Sequence, residues 1–117
     1  MSGLDEREKA FEAKYHLDEE LAFKVNARRD KLLGLWASEK LGLTGGDAEA
    51  YARTILDADF ADAHHETMIK KLLADFAAKG IEFTESHLQL VMQRLGEEAH
   101  RQIIHDVEDG TLTISPE

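Results

Sequence analysis

The sequence predicts an all-α protein: a small four-helix bundle preceded by a mobile, partly helical N-terminal segment. Apolar residues recur at helical spacing along most of the 117 residues. Glycines separate these periodic stretches, and the chain has a single proline. Because each amphipathic helix must bury one face and the connectors are short, a small antiparallel bundle is the simplest arrangement.

The N-terminal segment, residues 1–17, is expected to be a marginal helix. Leu4, Phe11 and Tyr15 are spaced by seven and four residues, so on a helix they form one narrow apolar stripe. Three such residues are too few to complete a core of their own. We therefore expect this segment to be partly helical in the free protein and to complete its helix on a partner.

The bundle is expected to begin with a long helix at Asp18, a suitable N-cap residue. This helix would hold about 26 residues and span ~39 Å, and a joint near His16–Leu17 would separate it from the N-terminal segment. Leu33 and Ala37 widen its apolar stripe to that of a core-facing helix, and Trp36 is expected to be largely buried. The other residues of the stripe are Leu21, Val25, Leu32 and Leu43.

Three shorter helices are expected to follow. Asp47, after a double glycine, is a suitable N-cap for a helix that ends near Phe60. Asp62 is the expected cap of the next helix, which stops at Lys79–Gly80 with a C-cap glycine. Thr84 is the expected cap of the last helix.

The last helix contains Gly96, which is unfavourable inside a helix and predicts a close helix crossing at that point. Gly110 is expected to end it, and residues 110–117 are expected to be a disordered tail. The predicted organisation is therefore an N-terminal segment (1–17), a four-helix bundle (18–109) and a tail (110–117).

The charge of the chain limits the classes of partner. The net charge is −10, and residues 44–117 contribute −9 of it, from fifteen acids and six bases. An acidic surface repels phosphate, so nucleic-acid binding through a broad basic surface is disfavoured. The charged N-terminus does not resemble a secretory signal, and no apolar run approaches the ~20 residues of a membrane span. We expect a cytoplasmic protein that does not insert into the membrane.

Histidine and carboxylate spacings suggest a metal-binding bundle enzyme as one hypothesis. Asp62 and His65 form one acid-x-x-His step, and Glu97 and His100 form another, as in di-iron bundles. The long helix has no inward carboxylate to complete such a site, and the chain has no cysteine nucleophile. The glycine-rich stretch at 42–46 lacks the Gly-Lys-Ser/Thr of a phosphate loop. We therefore predict no enzymatic activity, no metal and no cofactor.

The main basic cluster of the sequence lies on the long helix and comprises Arg28, Arg29 and Lys31, with Lys24 nearby. A neighbouring acidic helix could neutralise it within the bundle. It could also dock an acidic or phosphate-bearing partner. The sequence leaves both alternatives open.

Two stretches resemble a known family. DEREKAFEAK (Asp5–Lys14), ARRDKLLGLWASEKLGL (Ala27–Leu43) and the order of the glycine turns after them are similar to the zeta subunit of alphaproteobacterial ATP synthases. The resemblance implies a four-helix bundle with a mobile N-terminal inhibitory helix. It implies a regulatory subunit that blocks ATP hydrolysis by inserting this helix between catalytic subunits of the head and jamming rotation.

The same resemblance implies the partners and the location. The partners would be the alpha, beta and gamma subunits, and the protein would be peripheral on the membrane-bound ATP synthase. Weak adenine-nucleotide binding is also implied, but no phosphate motif is present to assign residues to it. The partner-binding residues implied by the family motif are Asp5, Glu6, Arg7, Glu8, Phe11 and Lys14. Periodicity adds Leu4 and Tyr15.

A second function from another class fits the same pattern. A helical adaptor would dock an unrelated protein through its long helix. Identifying the partner captured by the tagged protein distinguishes the adaptor from the inhibitor.

Overall fold

The computed structural model describes residues 2–62 and 64–112, with side chains from Glu19 onward. It confirms the all-α, four-helix prediction. The described residues form four helices and no strand: α1 (Ser2–Lys40), α2 (Gly45–Phe60), α3 (Glu66–Ala78) and α4 (Glu85–Glu108). No helix among them is both long and apolar enough to cross a membrane.

Helix α1 is one continuous element of 39 residues, about 58 Å long at the helical rise. The joint expected at His16–Leu17 is therefore wrong. An N-cap such as Asp18 acts only where the preceding backbone leaves the helix. No glycine or proline lies between Asp5 and Leu33, so nothing interrupts the backbone hydrogen bonds there.

Helices α2 and α4 pack on either side of α1, and α3 packs against both of them. The core lies where the four helices meet. Its fully buried apolar side chains are Leu33, Ala37, Ile55, Met68, Leu72, Phe76, Leu88 and Ala99. Core residues come from all four helices, so the bundle is a single packing unit.

Trp36 is buried over most of its surface and packs against the core, which agrees with its place in the apolar stripe. Leu33 and Ala37 occupy the centre of the core and leave Trp36 at its edge. There its ring packs edge-on against Phe76 and Phe83, with centroids 5.8 and 5.4 Å away. The Lys40 ammonium lies 5.2 Å from its centroid, a distance at which a cation is attracted to the ring face.

The close helix crossing occurs at Gly34 and not, as expected, at Gly96. A Cβ on Gly34 would lie 2.5 Å from the Cα of Ala52, so α1 and α2 approach at a point where no side chain fits. A Cβ on Gly96 would meet only the aliphatic part of Arg29, at 3.6 Å, which is an ordinary contact.

The glycine turn after α1 has the geometry of a Schellman motif. Gly42 has φ 79°, its N–H donates to the carbonyl of Glu39 at 3.1 Å, and the N–H of Leu43 donates to Ser38 at 2.9 Å. Helix α2 begins at Gly45 with Thr44 as its N-cap. The expected cap, Asp47, is wrong because the helix starts two residues earlier and includes the double glycine.

The caps of the last two helices follow the sequence more closely. The N-cap position of α3 is His65, but the Asp62 carboxylate accepts the Thr67 N–H at 3.1 Å and so satisfies a donor of the first turn. The hydroxyl of Thr84 accepts the N–H of His87 at 3.1 Å, which confirms Thr84 as the cap of α4.

The end of α4 is more ordered than expected. Residues 110–112 turn back on the helix in place of the disorder expected from Gly110 onward, and the N–H of Leu112 donates to the carbonyl of Asp106 at 3.0 Å. Residues 113–117 of the expected tail lie outside the described residues.

Candidate functional site

The site is the end of the bundle from which α1 continues toward the N-terminus. Two helices finish beside the same part of α1. The C-terminal residue of α2, Phe60, stacks on Phe23 with ring centroids 5.7 Å apart. Near the end of α4, the Asp106 carboxylate lies 3.0 Å from the Arg28 guanidinium. The α1 backbone continues past both contacts to Ser2 as regular helix.

We call residues 2–18 the N-terminal extension. The protein is 66 Å long but only 28 and 21 Å across, as expected when α1 is far longer than the other helices. All the partner-binding residues expected from the sequence lie on this helical extension: Leu4, Asp5, Glu6, Arg7, Glu8, Phe11, Lys14 and Tyr15. The structure describes the backbone of these residues and not their side chains. At 3.6 residues per turn, positions 4, 11 and 15 share one face of the helix.

Arg28 anchors α1 to α4 at the base of the extension. Its guanidinium donates to the Gln102 amide oxygen at 2.9 Å and to the Asp106 carboxylate at 3.0 Å. Within the basic cluster noted in the sequence, the charge of Arg28 is therefore neutralised by a partner inside the bundle. Lys31, by contrast, points into solvent.

Arg29 serves a second, more buried anchor. Its Nε and a terminal nitrogen donate to Asp30 Oδ1 at 3.1 and 3.0 Å, and the same terminal nitrogen lies 3.3 Å from Asp59 Oδ2. The Asp59 Oδ1 is in turn 2.5 Å from His65 Nδ1, just before α3. One polar cluster thus connects α1, the end of α2 and the start of α3.

Asp30 and Asp59 are buried, with 0% and 8% of their surfaces exposed. Burial is the main cause that raises the pKa of Asp30 to about 8. The Asp59 carboxylate also raises this pKa, whereas the Arg29 guanidinium lowers it. Burial alone would also raise the pKa of Asp59. Interactions with Asp30, His65 and Arg29 outweigh it, so the pKa of Asp59 is lowered. The cluster therefore holds Asp30 neutral and Asp59 ionised near neutral pH.

This cluster was not predicted from the sequence. A signal was present, since Asp30, Leu33 and Ala37 are spaced by three and four residues and must share the core face. One buried oxygen of Asp30, Oδ2, has no hydrogen-bond partner among the described residues.

The two acid-x-x-His steps do not form one group. His65 binds Asp59, and Glu97 and His100 are exposed on α4. Among the described residues, one set of potential ligands lies within coordination distance, and it comprises His105, Asp106 and Asp109 at the end of α4. Its Asp106 already binds Arg28.

The structure also shows a groove that sequence reasoning missed, with a volume of about 810 Å³, between α1 and α2 and closed at one side by Ile103 and Leu112. Basic side chains line it, including Lys24 and Lys31 from α1 and Arg53 from α2. The seven-residue spacing of Lys24 and Lys31, which places them on one face of α1, was the sequence feature that could have indicated this groove.

Comparison with known families gives one match, and it covers most of the chain. The family model described as ATPase inhibitor subunit zeta matches residues 1–102, which include the whole N-terminal extension and the bundle through most of α4. No curated protein matches the sequence.

Proposed function

Because the chain belongs to the ATPase inhibitor subunit zeta family, we propose that it binds the catalytic head of the ATP synthase and blocks ATP hydrolysis by inserting its N-terminal extension between catalytic subunits. The observation that supports this mechanism is the continuation of α1 to Ser2, past the ends of α2 and α4 that pack beside Phe23 and Arg28.

The extension has the composition of a segment that binds in a groove. Leu4, Phe11 and Tyr15 share one helical face, and a helix with one apolar stripe is stabilised when that stripe is buried against a partner. Aromatic side chains commonly anchor such interfaces. Arg7 and Lys14, with the acids around them, would fix its orientation in the groove.

Inhibition of this kind requires no chemistry from the inhibitor. A helix lodged between subunits that must open and close during hydrolysis holds them in one arrangement. The bundle is too wide to follow the helix into such an interface, at 28 and 21 Å across. It would remain outside against the alpha, beta and gamma subunits, with the protein peripheral on the membrane-bound enzyme at its cytoplasmic side.

Continuity of α1 gives the bundle a mechanical role. No glycine or proline lies between the extension and the anchors at Arg28 and Arg29, so the two parts are joined by hydrogen-bonded helix. The bundle can therefore hold the extension in one direction as it enters the head.

The experiment is ATP hydrolysis by the isolated catalytic head with increasing amounts of the full chain and of a chain lacking residues 1–16. We expect the full chain to inhibit and the shortened chain to lose inhibition while retaining the thermal melt of the bundle. Full inhibition by the shortened chain would contradict the mechanism and place the inhibitory surface on the bundle.

A further inference from the structure

The groove lies on the outer side of α1. Lys31 and Trp36 are five residues apart, which places them about 140° apart around the helix. Trp36 faces α3 through Phe76, so the groove opens on the side of α1 that α3 does not cover. Its lining comes mainly from α1 and α2, with Ile103 of α4 and Leu112 at one side.

The bottom of the groove is apolar and continues to an exposed aromatic pair. Leu35 and Leu56 are half-buried, and Ile103 is buried. At one end lies Phe23, which is 61% exposed and stacks on Phe60, itself 57% exposed. Large apolar side chains left in solvent beside an apolar groove are typical of a protein-binding surface.

The rim of the groove is basic in a chain of net charge −10. Lys24, Arg28 and Lys31 follow one another at i, i+4 and i+7 on α1, and Arg53 faces them from α2. Arg28 is bound to Asp106. Within residues 19–62 and 64–112, no ion pair is formed by the other three. Glu49 is the acid that lines the groove.

We propose that this groove docks an acidic amphipathic helix of the ATP synthase catalytic head, as a second contact separate from the N-terminal extension. The inference rests on the proposed function and adds a surface and a partner chemistry to it. A helix with acids at i, i+4 and i+7 has the same spacing as the cations of α1, and its apolar residues would cover Leu35, Leu56 and Phe23.

The arrangement of the cations favours an elongated partner over a small anion. Lys24 and Lys31 are separated by about 10 Å along the helix, whereas a compact anion is bound by donors that converge on one point. The acidic remainder of the chain repels the same partner, so attraction is confined to the groove and fixes the orientation of docking.

The test measures binding and inhibition separately, with the full chain and the isolated catalytic head. The variant carries Lys24→Glu, Lys31→Glu and Arg53→Glu. The control carries Lys70→Glu, Lys79→Glu and Arg94→Glu, three exposed cations on α3, its C-cap and α4, and has the same net charge. Binding is measured on immobilised head at several salt concentrations, inhibition is measured by ATP hydrolysis, and thermal melts verify folding.

We expect the groove variant to bind about tenfold more weakly than the unmodified chain at low salt, with the difference shrinking as salt rises. At saturation it should still inhibit, because the extension is unchanged. The control should bind within about twofold of the unmodified chain. If the groove variant unfolds, the single substitution Lys31→Glu, at an exposed position, replaces it, with an expected loss of about threefold.

The outcomes separate the two proposals. Equal binding by the groove variant and the control would overturn the docking inference and leave the inhibitory mechanism standing. If the unmodified chain binds the head without inhibiting it, and the groove variant loses this binding, the result would support docking and overturn the mechanism. No binding by the unmodified chain would overturn both. If inorganic phosphate or ATP binds in the groove and displaces the head at all salt concentrations, the groove is a small-anion site and the inference is wrong.

Discussion

The two halves of α1 have the same secondary structure but different roles. In the second half, Leu33 and Ala37 are fully buried and the helix packs against α2 and α4. The first half continues beyond the ends of α2 and α4 and carries a stripe of only three large apolar residues. The comparison shows that an uninterrupted sequence of good helix formers is enough to extend a helix, while burial decides which part of it defines the fold.

The largest expected effect comes from making the same substitution in each half. Leu33→Ala should lower the free energy of unfolding by roughly 2–5 kcal/mol, because it leaves a cavity in the core. Leu4→Ala should leave the thermal melt unchanged. A comparable loss of stability in both variants, measured by chemical denaturation, would show that the extension packs on the bundle.

A second prediction breaks the continuity between the halves. Leu17→Pro removes a backbone hydrogen bond and costs about 3 kcal/mol of local helix stability. If the bundle holds the extension in one direction, this variant should inhibit hydrolysis much less than the unmodified chain. The melt of the bundle should change little, and unchanged inhibition would show that a rigid connection is not needed.

A third prediction sharpens the role of the extension itself. Phe11→Ala should weaken inhibition by about 2 kcal/mol, since a buried aromatic anchor is lost. Glu12→Ala should cost much less, because an exposed rim charge contributes little. The measurement is the concentration that halves ATP hydrolysis. Equal shifts for the two variants would count against the apolar stripe as the anchor.

The last prediction concerns the polar cluster at the base of α1. The pKa of Asp30 is raised to about 8 in the folded protein from 3.8, so the unfolded chain releases this proton first as pH rises. The stability contributed by the neutral group is therefore complete below pH 4 and is lost progressively up to about pH 8.

Asp30→Asn keeps the shape of the neutral carboxyl group and removes this titration. We expect the variant to be more stable than the unmodified protein at pH 8, with little difference at pH 4. Thermal melts across this range measure it. A parallel pH dependence in both proteins would assign the effect to another group.

The sequence predicted features that depend on local chemistry. The Thr84 cap and the C-cap glycine at Gly80 were expected because a hydroxyl cap or a left-handed glycine acts over a few residues. Helical periodicity likewise predicted that Leu33 and Ala37 face the core, and both are fully buried.

Other features depend on contacts between distant parts of the chain, and the sequence did not predict them. Asp30 and Asp59 are 29 positions apart, and only the packing of α2 on α1 brings them together. The side chains of the N-terminal extension were assigned by resemblance and periodicity, and their roles stay predictions.

The direction of α1 at the Arg28 and Phe23 contacts has a geometric consequence for the far end of the helix. Residues 2–22 form a lever arm of roughly 30 Å. A tilt of about 10° at its base displaces its tip by ~5 Å, close to one helical turn. The hydrogen bonds of Arg28 to Gln102 and Asp106 therefore control the aim of side chains that lie far from them. We therefore expect substitutions of Arg28 to weaken inhibition by changing the direction of the N-terminal extension, although its own residues are unchanged.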